Sequence, residues 1–200
     1  MYRIVGLGEV LWDVFPDGAR FGGAPANFTC STAELGRGVV DVVIASAVGN
    51  DDLGQKAVES LERHGVSTAA LQRNSFPTGR VDIELDDHGV ASYQFAEDSA
   101  WDHIDWTGAF ESISARVDAV CFGTLGQRGK RSRETIRKFV ESTPQSSLRI
   151  LDVNLRAPFY SSELIRESLE LANVLKLNSD ELPVLSQWVE AGNDDAETIR

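Results

Sequence analysis

Hydrophobic positions follow two rhythms along this chain of 200 residues. Short unbroken apolar runs read as buried strands, and runs with apolar positions three or four apart read as helices. Arg3 to Gly8 (RIVGLG) is a buried strand closed by glycine. Asn27 to Gly36 is a helix of small residues that stops at Gly36, and VVDVVIASAVG is a second buried strand. NDDLGQKAVESLERHG opens on acids and spaces Leu53, Ala57 and Leu61 four apart, so it predicts an amphipathic helix ending at Gly65. The order β-α-β-α builds a parallel sheet with covering helices.

Arg80 to Phe95 breaks that rhythm. Val81, Ile83 and Leu85 alternate with Asp82, Glu84 and Asp86, and after the turn signal DDHG, Ala91, Tyr93 and Phe95 alternate with Ser92 and Gln94. Strict alternation on either side of a turn predicts an antiparallel hairpin with one apolar face, a lid-like insertion at about residues 78–98. The α/β rhythm then resumes. VDAVCFG, SLRILDVNL and VLKLN are strands, SRETIRKFVES and SSELIRESLELAN are helices, and SDELPVLSQWVEAG is a last helix with Leu182, Leu185 and Val189 facing inward. The predicted fold is α/β: a parallel sheet, helices on both faces, and a small antiparallel β lid.

Composition narrows the partners. The net charge of −12 argues against nucleic acid or an anionic membrane, both of which select basic surfaces. It leaves small ligands open, because a local basic site can sit on an acidic protein. Cys30 and Cys121 lie among apolar or small residues without metal-ligand spacing, and read as buried, reduced thiols. The N-terminal stretch runs straight into a strand with no basic leader, and no apolar run reaches membrane-spanning length. The expectation is a cytoplasmic protein.

Ligands of parallel sheets bind at the carboxyl ends of the strands. Polar residues collect there: Asp13, Asn50 and Asp51, Gly123-Thr124, Asp152, Asn154 and Arg156, and Asn178 and Glu181. Each alone reads more readily as a helix cap or loop residue than as a ligand contact. Gly22-Gly23 just before a helix offers either a tight turn or a place for close approach to backbone N–H groups. Together these features favour a small, polar, hydroxyl-rich ligand. Trp101 and Trp106 fit core or hinge packing better than sugar stacking. His64, His88 and His103 have no ligand spacing and carry no chemistry.

The ordered set GEVLWD, FGGAPAN, AVGNDDLG, PTGRVDIEL, FGTLGQR, LDVNLR and KLNSDEL resembles the amino-terminal portion of a PfkB-type (ribokinase-like) carbohydrate kinase, fructokinase-like in flavour, over nearly the whole chain. The resemblance implies a ribokinase-like, Rossmann-like core over residues 1–200 and ATP-dependent phosphoryl transfer to a sugar hydroxyl. It implies sugar contacts from Asp13 and Asn27, with Gly22 and Gly23 admitting backbone close to the sugar. The hairpin becomes a lid over the sugar and a homodimer contact. Asn178 and Glu181 match an Asn-x-x-Glu element that organises Mg²⁺ and phosphate through water, although Ser179 to Glu181 also read as a helix start. Asn154 and Arg156 match an Asp-x-Asn-x-Arg stretch, where Arg156 steers sugar or phosphate unless it is only a surface ion pair.

In that family the catalytic base is an aspartate in a Gly-Ala-Gly-Asp motif, at a helix start whose N–H groups form the anion hole. No such motif is present, and after Gly129 the only glycine is Gly192. The expectation is a chain that carries the sugar side and lid, has no catalytic residue of its own, lacks the carboxy-terminal nucleotide-binding portion and is inactive alone. The alternative is a non-catalytic sugar-binding or degenerate member that dimerises through the lid. A dinucleotide-binding oxidoreductase fails, because in GLGEVL the third glycine position holds Leu11.

Overall fold

The computed structural model describes residues 1–85 and 91–190. Ten strands and six α-helices run in the order β1 (Tyr2–Leu7), β2 (Leu11–Phe15), β3 (Gly18–Gly22), α1 (Ala24–Leu35), β4 (Val40–Gly49), α2 (Asp52–Arg63), β5 (Ser67–Asn74), β6 (Gly79–Leu85), β7 (Ala91–Phe95), α3 (Gly108–Ser114), β8 (Ala119–Gly123), α4 (Lys130–Glu141), β9 (Leu148–Asp152), α5 (Ser162–Leu171), β10 (Val174–Lys176) and α6 (Glu181–Glu190). Six strands form one sheet in the order β10-β9-β8-β1-β4-β5, and every pair in it is parallel.

The two-residue period of β4 explains the layers. Val43, Ala45 and Ala47 face one side, packed with Phe110 of α3, Ile136 and Phe139 of α4, Ile165 of α5 and Leu185 of α6. Val42, Ile44 and Val48 face the other, against Ala26 of α1 and Ala57 and Leu61 of α2. Helices therefore cover both faces, as the apolar runs predicted. From β1 the chain builds outward through β4 and β5, then returns to lay β8, β9 and β10 on the opposite flank. The switch point lies at the carboxyl ends of β1 and β8, where open α/β sheets bind ligands.

The lid is larger than the predicted hairpin. A second sheet has the order β3-β2-β6-β7, with β2 antiparallel to β3, parallel to β6, and β6 antiparallel to β7. Asp13, expected in a loop after β1, sits within β2 opposite Arg20 and Val81. The Asp86–Gly89 turn, with His88, lies outside the described residues, as does the Val189 side chain. Leu182 is not inward but 52% exposed, and of the three helix positions Leu185 carries the α6 core contact. Cys121 is buried, Cys30 is only half-buried, and both are free thiols. Trp101 is 1% exposed and packs with Leu11, Val81, Ile83 and Leu125 where lid meets core. Trp106 stands edge-on to Phe110.

Both legs of the lid are pinned to the core. On one leg Asp51, the N-cap of α2, accepts from Gly54 N–H at 2.7 Å, from the Thr78 hydroxyl at 2.6 Å and from Thr78 N–H at 2.8 Å. Burial pushes the Asp51 pKa up, but the Thr78 and Gly54 hydrogen bonds outweigh it and hold the carboxyl below its usual value. Asp51 is thus an anchor rather than a ligand contact. On the other leg Arg128 donates to both oxygens of Asp102 at 2.8 and 2.7 Å and to the Ala96 carbonyl at 2.7 Å. Its guanidinium lies 4.0 Å from the Trp101 ring centroid.

The Arg128–Asp102 side chains are each 9% exposed, whereas those of the Arg131–Asp105 pair are 58% and 49% exposed. Removing one partner of a buried pair strands the other charge and costs about 3 to 5 kcal/mol, against about 0 to 1 kcal/mol for an exposed pair. Arg128→Met is therefore expected to lower unfolding free energy by about 3 kcal/mol or more, and Arg131→Met by under about 1 kcal/mol. Urea denaturation of the two variants checks this, and equal losses would refute it.

Candidate functional site

A cavity of about 610 Å³ opens at the switch point. Its walls follow from local periodicity. On β2 the alternate residues Leu11, Asp13 and Phe15 line it, while Trp12 turns the other way and donates from Nε1 to the Leu53 carbonyl at 3.0 Å. On α1 the face made by Ala24, Asn27, Phe28 and Ser31 lines it, while Ala26 and Thr29 are fully buried. The lid supplies Val81, Ile83, Tyr93 and Phe95, which stand as directly opposed pairs, Val81 with Phe95 and Ile83 with Tyr93. The sheet supplies Asp152, Asn154, Arg156 and Lys176 from the ends of β9 and β10.

Of the sequence-predicted contacts, Asp13, Gly23, Asn27, Asn154 and Arg156 thus meet in one cavity. Asp13 and Asn27 have no side-chain hydrogen-bond partner among the described residues. Burial raises the Asp13 pKa above its ordinary value, and the Arg156 charge opposes that rise. Arg156 donates from Nη1 to the Leu155 carbonyl at 2.9 Å, and Asn154 adopts a left-handed backbone with φ 38°.

The glycine pair is required by the chain's own atoms. Gly23 has φ 103°, and a Cβ there would lie 2.7 Å from the Glu9 carbonyl oxygen; one at Gly22 would lie 2.6 Å from Asp13 Oδ2. Gly23 is the N-cap of α1 and offers no side-chain cap. Instead the Ala24 N–H donates to Glu9 Oε1 at 3.2 Å, so a carboxylate from another segment meets the helix start.

Asn178 and Glu181 do not line the cavity wall described above. They cap α6 reciprocally. Asn178 Oδ1 accepts from the N–H groups of Asp180 and Glu181, each at 2.9 Å. Glu181 is buried, and its two oxygens accept from Leu155 N–H and Asn178 N–H, each at 2.9 Å. Direct ligation of a divalent cation does not fit oxygens already aimed at backbone amides, and no group of three or more His, Cys, Asp or Glu among the described residues could hold a metal ion. Thr124 is also structural: its hydroxyl donates to the Val153 carbonyl at 2.9 Å.

Two residues escaped the sequence reading. Lys176, on β10, donates to Asp152 Oδ1 at 2.8 Å and adds a second cation to the cavity. Glu9 is 2% exposed. Burial pushes its pKa to about 7; the N–H groups of Glu9 and Ala24 pull against this, Asp152 adds to it and Arg156 offsets that. The only sequence signal for Glu9 was an acid directly after a buried strand in GLGEV. Burial likewise pushes the Cys121 thiol to about 12, with Asp152 and Glu9 adding, which leaves it unreactive.

The sequence profile of pfkB family carbohydrate kinases matches residues 10–199. The chain belongs to that family. It is 30% identical over 178 residues to a sugar kinase of Pyrococcus horikoshii, covering 84% of this chain and 56% of the relative. The crystal structure of that kinase superposes with a TM-score of 0.80 at 28% identity, over 92% of this chain and 66% of that one. The same kinase has been crystallised in complex with ATP. A fructokinase from Xylella fastidiosa shares the fold, with a TM-score of 0.78 at 23% identity over 94% of this chain and 63% of that one. An ATP-dependent 6-phosphofructokinase of Thermoanaerobacterium thermosaccharolyticum is 21% identical over 167 residues, covering 80% of this chain and 50% of the relative. The chain spans about half the length of the curated relatives it matches. No helix among the described residues is long and apolar enough to cross a membrane.

The buried acid has a consequence for this carbohydrate-kinase fold. Between the ordinary value of 4.5 and about 7 the unfolded chain releases the Glu9 proton while the folded chain keeps it. Stability conferred at low pH therefore declines as pH rises through that window and levels off above it. The decline amounts to about 3 kcal/mol. Glu9→Gln, which cannot ionise, is expected to gain on the wild type by about that amount between pH 4 and pH 8. Chemical denaturation of both proteins at the two pH values checks it; a constant difference would refute it.

Proposed function

We propose that the cavity is the sugar-binding site of an ATP-dependent sugar kinase acting on fructose or a similar sugar. The observation that carries this is the juxtaposition of Asp13 and Asn27, free of protein partners among the described residues, under the apolar lid face of Val81, Ile83, Tyr93 and Phe95. A carboxylate accepts from two hydroxyls, and an amide both donates and accepts. An apolar cover excludes water and strengthens those hydrogen bonds. Arg156 and Lys176 offer charge at the other end.

ATP with Mg²⁺ is the donor in this reading, with Asn178 and Glu181 touching the cation only through water. The 200 residues hold no Gly-Ala-Gly-Asp motif, so we assign the chain sugar binding without a catalytic base. A non-catalytic sugar-binding member is the second reading, and it uses the same cavity. Under either one the ligand is a cytoplasmic metabolite, and the lid, where Tyr93 is 58% exposed, is where a second copy would dock.

Calorimetric titration with D-fructose, D-ribose and D-glucose, paired with an ADP-release assay, tests the proposal. Saturable binding without turnover is expected. Turnover would refute the missing-base assignment, and absence of binding would refute the sugar site. Asp13→Asn exchanges one anionic acceptor for a donor, and loss of a hydrogen bond to a charged group is worth about 1.5 to 3 kcal/mol. Its affinity is expected to fall by at least about tenfold with the melting temperature nearly unchanged, and an unaltered affinity would remove Asp13 from the site.

A further inference from the structure

Glu9 is the one carboxyl of the cavity wall that is almost wholly buried. It leaves β1 at the switch point and bridges two segments. Oε1 accepts from Ala24 N–H at the start of α1. Oε2 lies under Gly126, 3.2 Å from where a Cβ would stand, and has no hydrogen-bond partner among the described residues. A buried polar atom left unpartnered in a native fold calls for a reason, since it forfeits the hydrogen bonds it made with water.

The geometry points to Glu9 as a sugar-contacting residue at the floor of the sugar site, whose Oε2–H donates to a hydroxyl of the bound sugar. This rests on the sugar-binding reading above and adds a residue and a proton to it. A neutral carboxyl has one O–H to donate. With Oε1 committed to the Ala24 amide, that O–H belongs on Oε2. The sugar then supplies the missing partner and displaces water from beneath the apolar lid face, which disfavours the charged form still further.

The charged and titratable groups around Glu9 come from every neighbouring element. Asp152 on β9 opposes its ionisation and Arg156 after β9 favours it, while Cys121 on β8, its thiol pushed up to about 12, faces it uncharged. Asp13 on β2 and Lys176 on β10 share the cavity. Asp13 is the competing site for a proton, because burial raises its pKa too. Binding at pH 8 is therefore coupled to proton uptake: one proton moves from buffer to the Glu9 carboxylate, in the fraction of molecules that were ionised. No bond of the sugar is made or broken.

The test is calorimetric titration of the full chain with D-fructose, D-ribose and D-glucose at pH 8 in phosphate and in Tris, which differ in ionisation enthalpy. Wild type is expected to give a buffer-dependent heat and an affinity that weakens about tenfold from pH 6 to pH 8.5. Glu9→Gln keeps an acceptor for Ala24 and a donor for the sugar. It is expected to bind within about threefold of wild type, with heats independent of buffer and affinity independent of pH. Glu9→Leu is expected to bind about tenfold more weakly at every pH; should it not fold, the glutamine variant decides alone. A Glu9→Gln protein whose heat still depends on buffer assigns the proton to Asp13 or another group and overturns the proposal. A leucine variant that binds like wild type overturns it as well. Sugar binding by the wild type in those cases leaves the sugar-site reading intact, whereas no binding of any of the three sugars overturns both.

Discussion

The contact of Gly23 with the Glu9 carbonyl is the constraint on which the cavity depends. Its left-handed backbone, with a would-be Cβ 2.7 Å from that oxygen, brings the start of α1 against the segment leaving β1. Three consequences share this corner. The Ala24 N–H reaches Glu9 Oε1, the α1 face bearing Asn27 turns toward the lid, and β3 ends where Gly22 clears the Asp13 carboxylate. A side chain at Gly23 would push α1 off the carboxyl end of β1, and with it the wall opposite Asp152 and Arg156, whereas one at Gly22 would displace the Asp13 carboxylate. Gly23 is thus needed for the shape of the protein before any ligand arrives, and Gly22 for the placement of Asp13. A tight internal contact and a ligand-facing surface are made by the same few atoms.

The lid depends on a different balance. Its four strands have their own apolar face, yet a sheet this small gains little stability by itself. It is held through Trp101, which fills the space among Leu11, Val81, Ile83 and Leu125, and through polar clamps at the two legs. The Asp51–Thr78 clamp also caps α2, and the Arg128–Asp102 clamp also catches the Ala96 carbonyl. Each clamp ties a lid leg to the first turn of a core helix or the loop before one. The base of the lid is thereby held in register with the sheet.

Much of this was legible in the residues, and what was missed has physical causes. Long, strongly patterned segments such as Val40–Gly49 and Lys130–Glu141 declared themselves, because burial on both faces or on one stripe leaves a clear period. β2 and β3 were missed although Pro16-Asp17-Gly18 is a turn signal between them; β2 buries Trp12 and Asp13 on opposite faces, so its alternation of polarity is blurred. β5 has eight residues but is weakly patterned, and α3, with seven, is short. Asn154 and Arg156 were legible as polar residues after a strand, whereas Asp13 and Asn27, which lie within β2 and α1, were legible through the family resemblance. Glu9 and Lys176 were not, because what distinguishes them, deep burial and proximity to Asp152, exists only after folding. Asn178 and Glu181 show the reverse: the spacing was real, and the structure uses it as a reciprocal cap.

The balance of charge in the cavity bears on what can enter it. The protein carries a net charge of −12, but at physiological salt surface charges more than about 8 Å away are largely screened. Inside the cavity the ledger is local. Asp13 and Asp152 face Arg156 and Lys176, and Lys176 is already held by Asp152. Glu9, half protonated near neutrality, adds only a fraction of a charge. The site is close to neutral, with donors and acceptors unevenly placed around it and an apolar cover above. An anion entering would meet Asp13 and Glu9 at the α1 end, where desolvation makes repulsion stronger. A cation would meet Arg156 at the other. A neutral polyol meets neither penalty and satisfies both carboxylate and amide. The electrostatics therefore favour the same class of ligand as the shape does, and they do so through residues contributed by β1, β2, α1, β9 and β10, elements that meet only because the sheet reverses its strand order at β1.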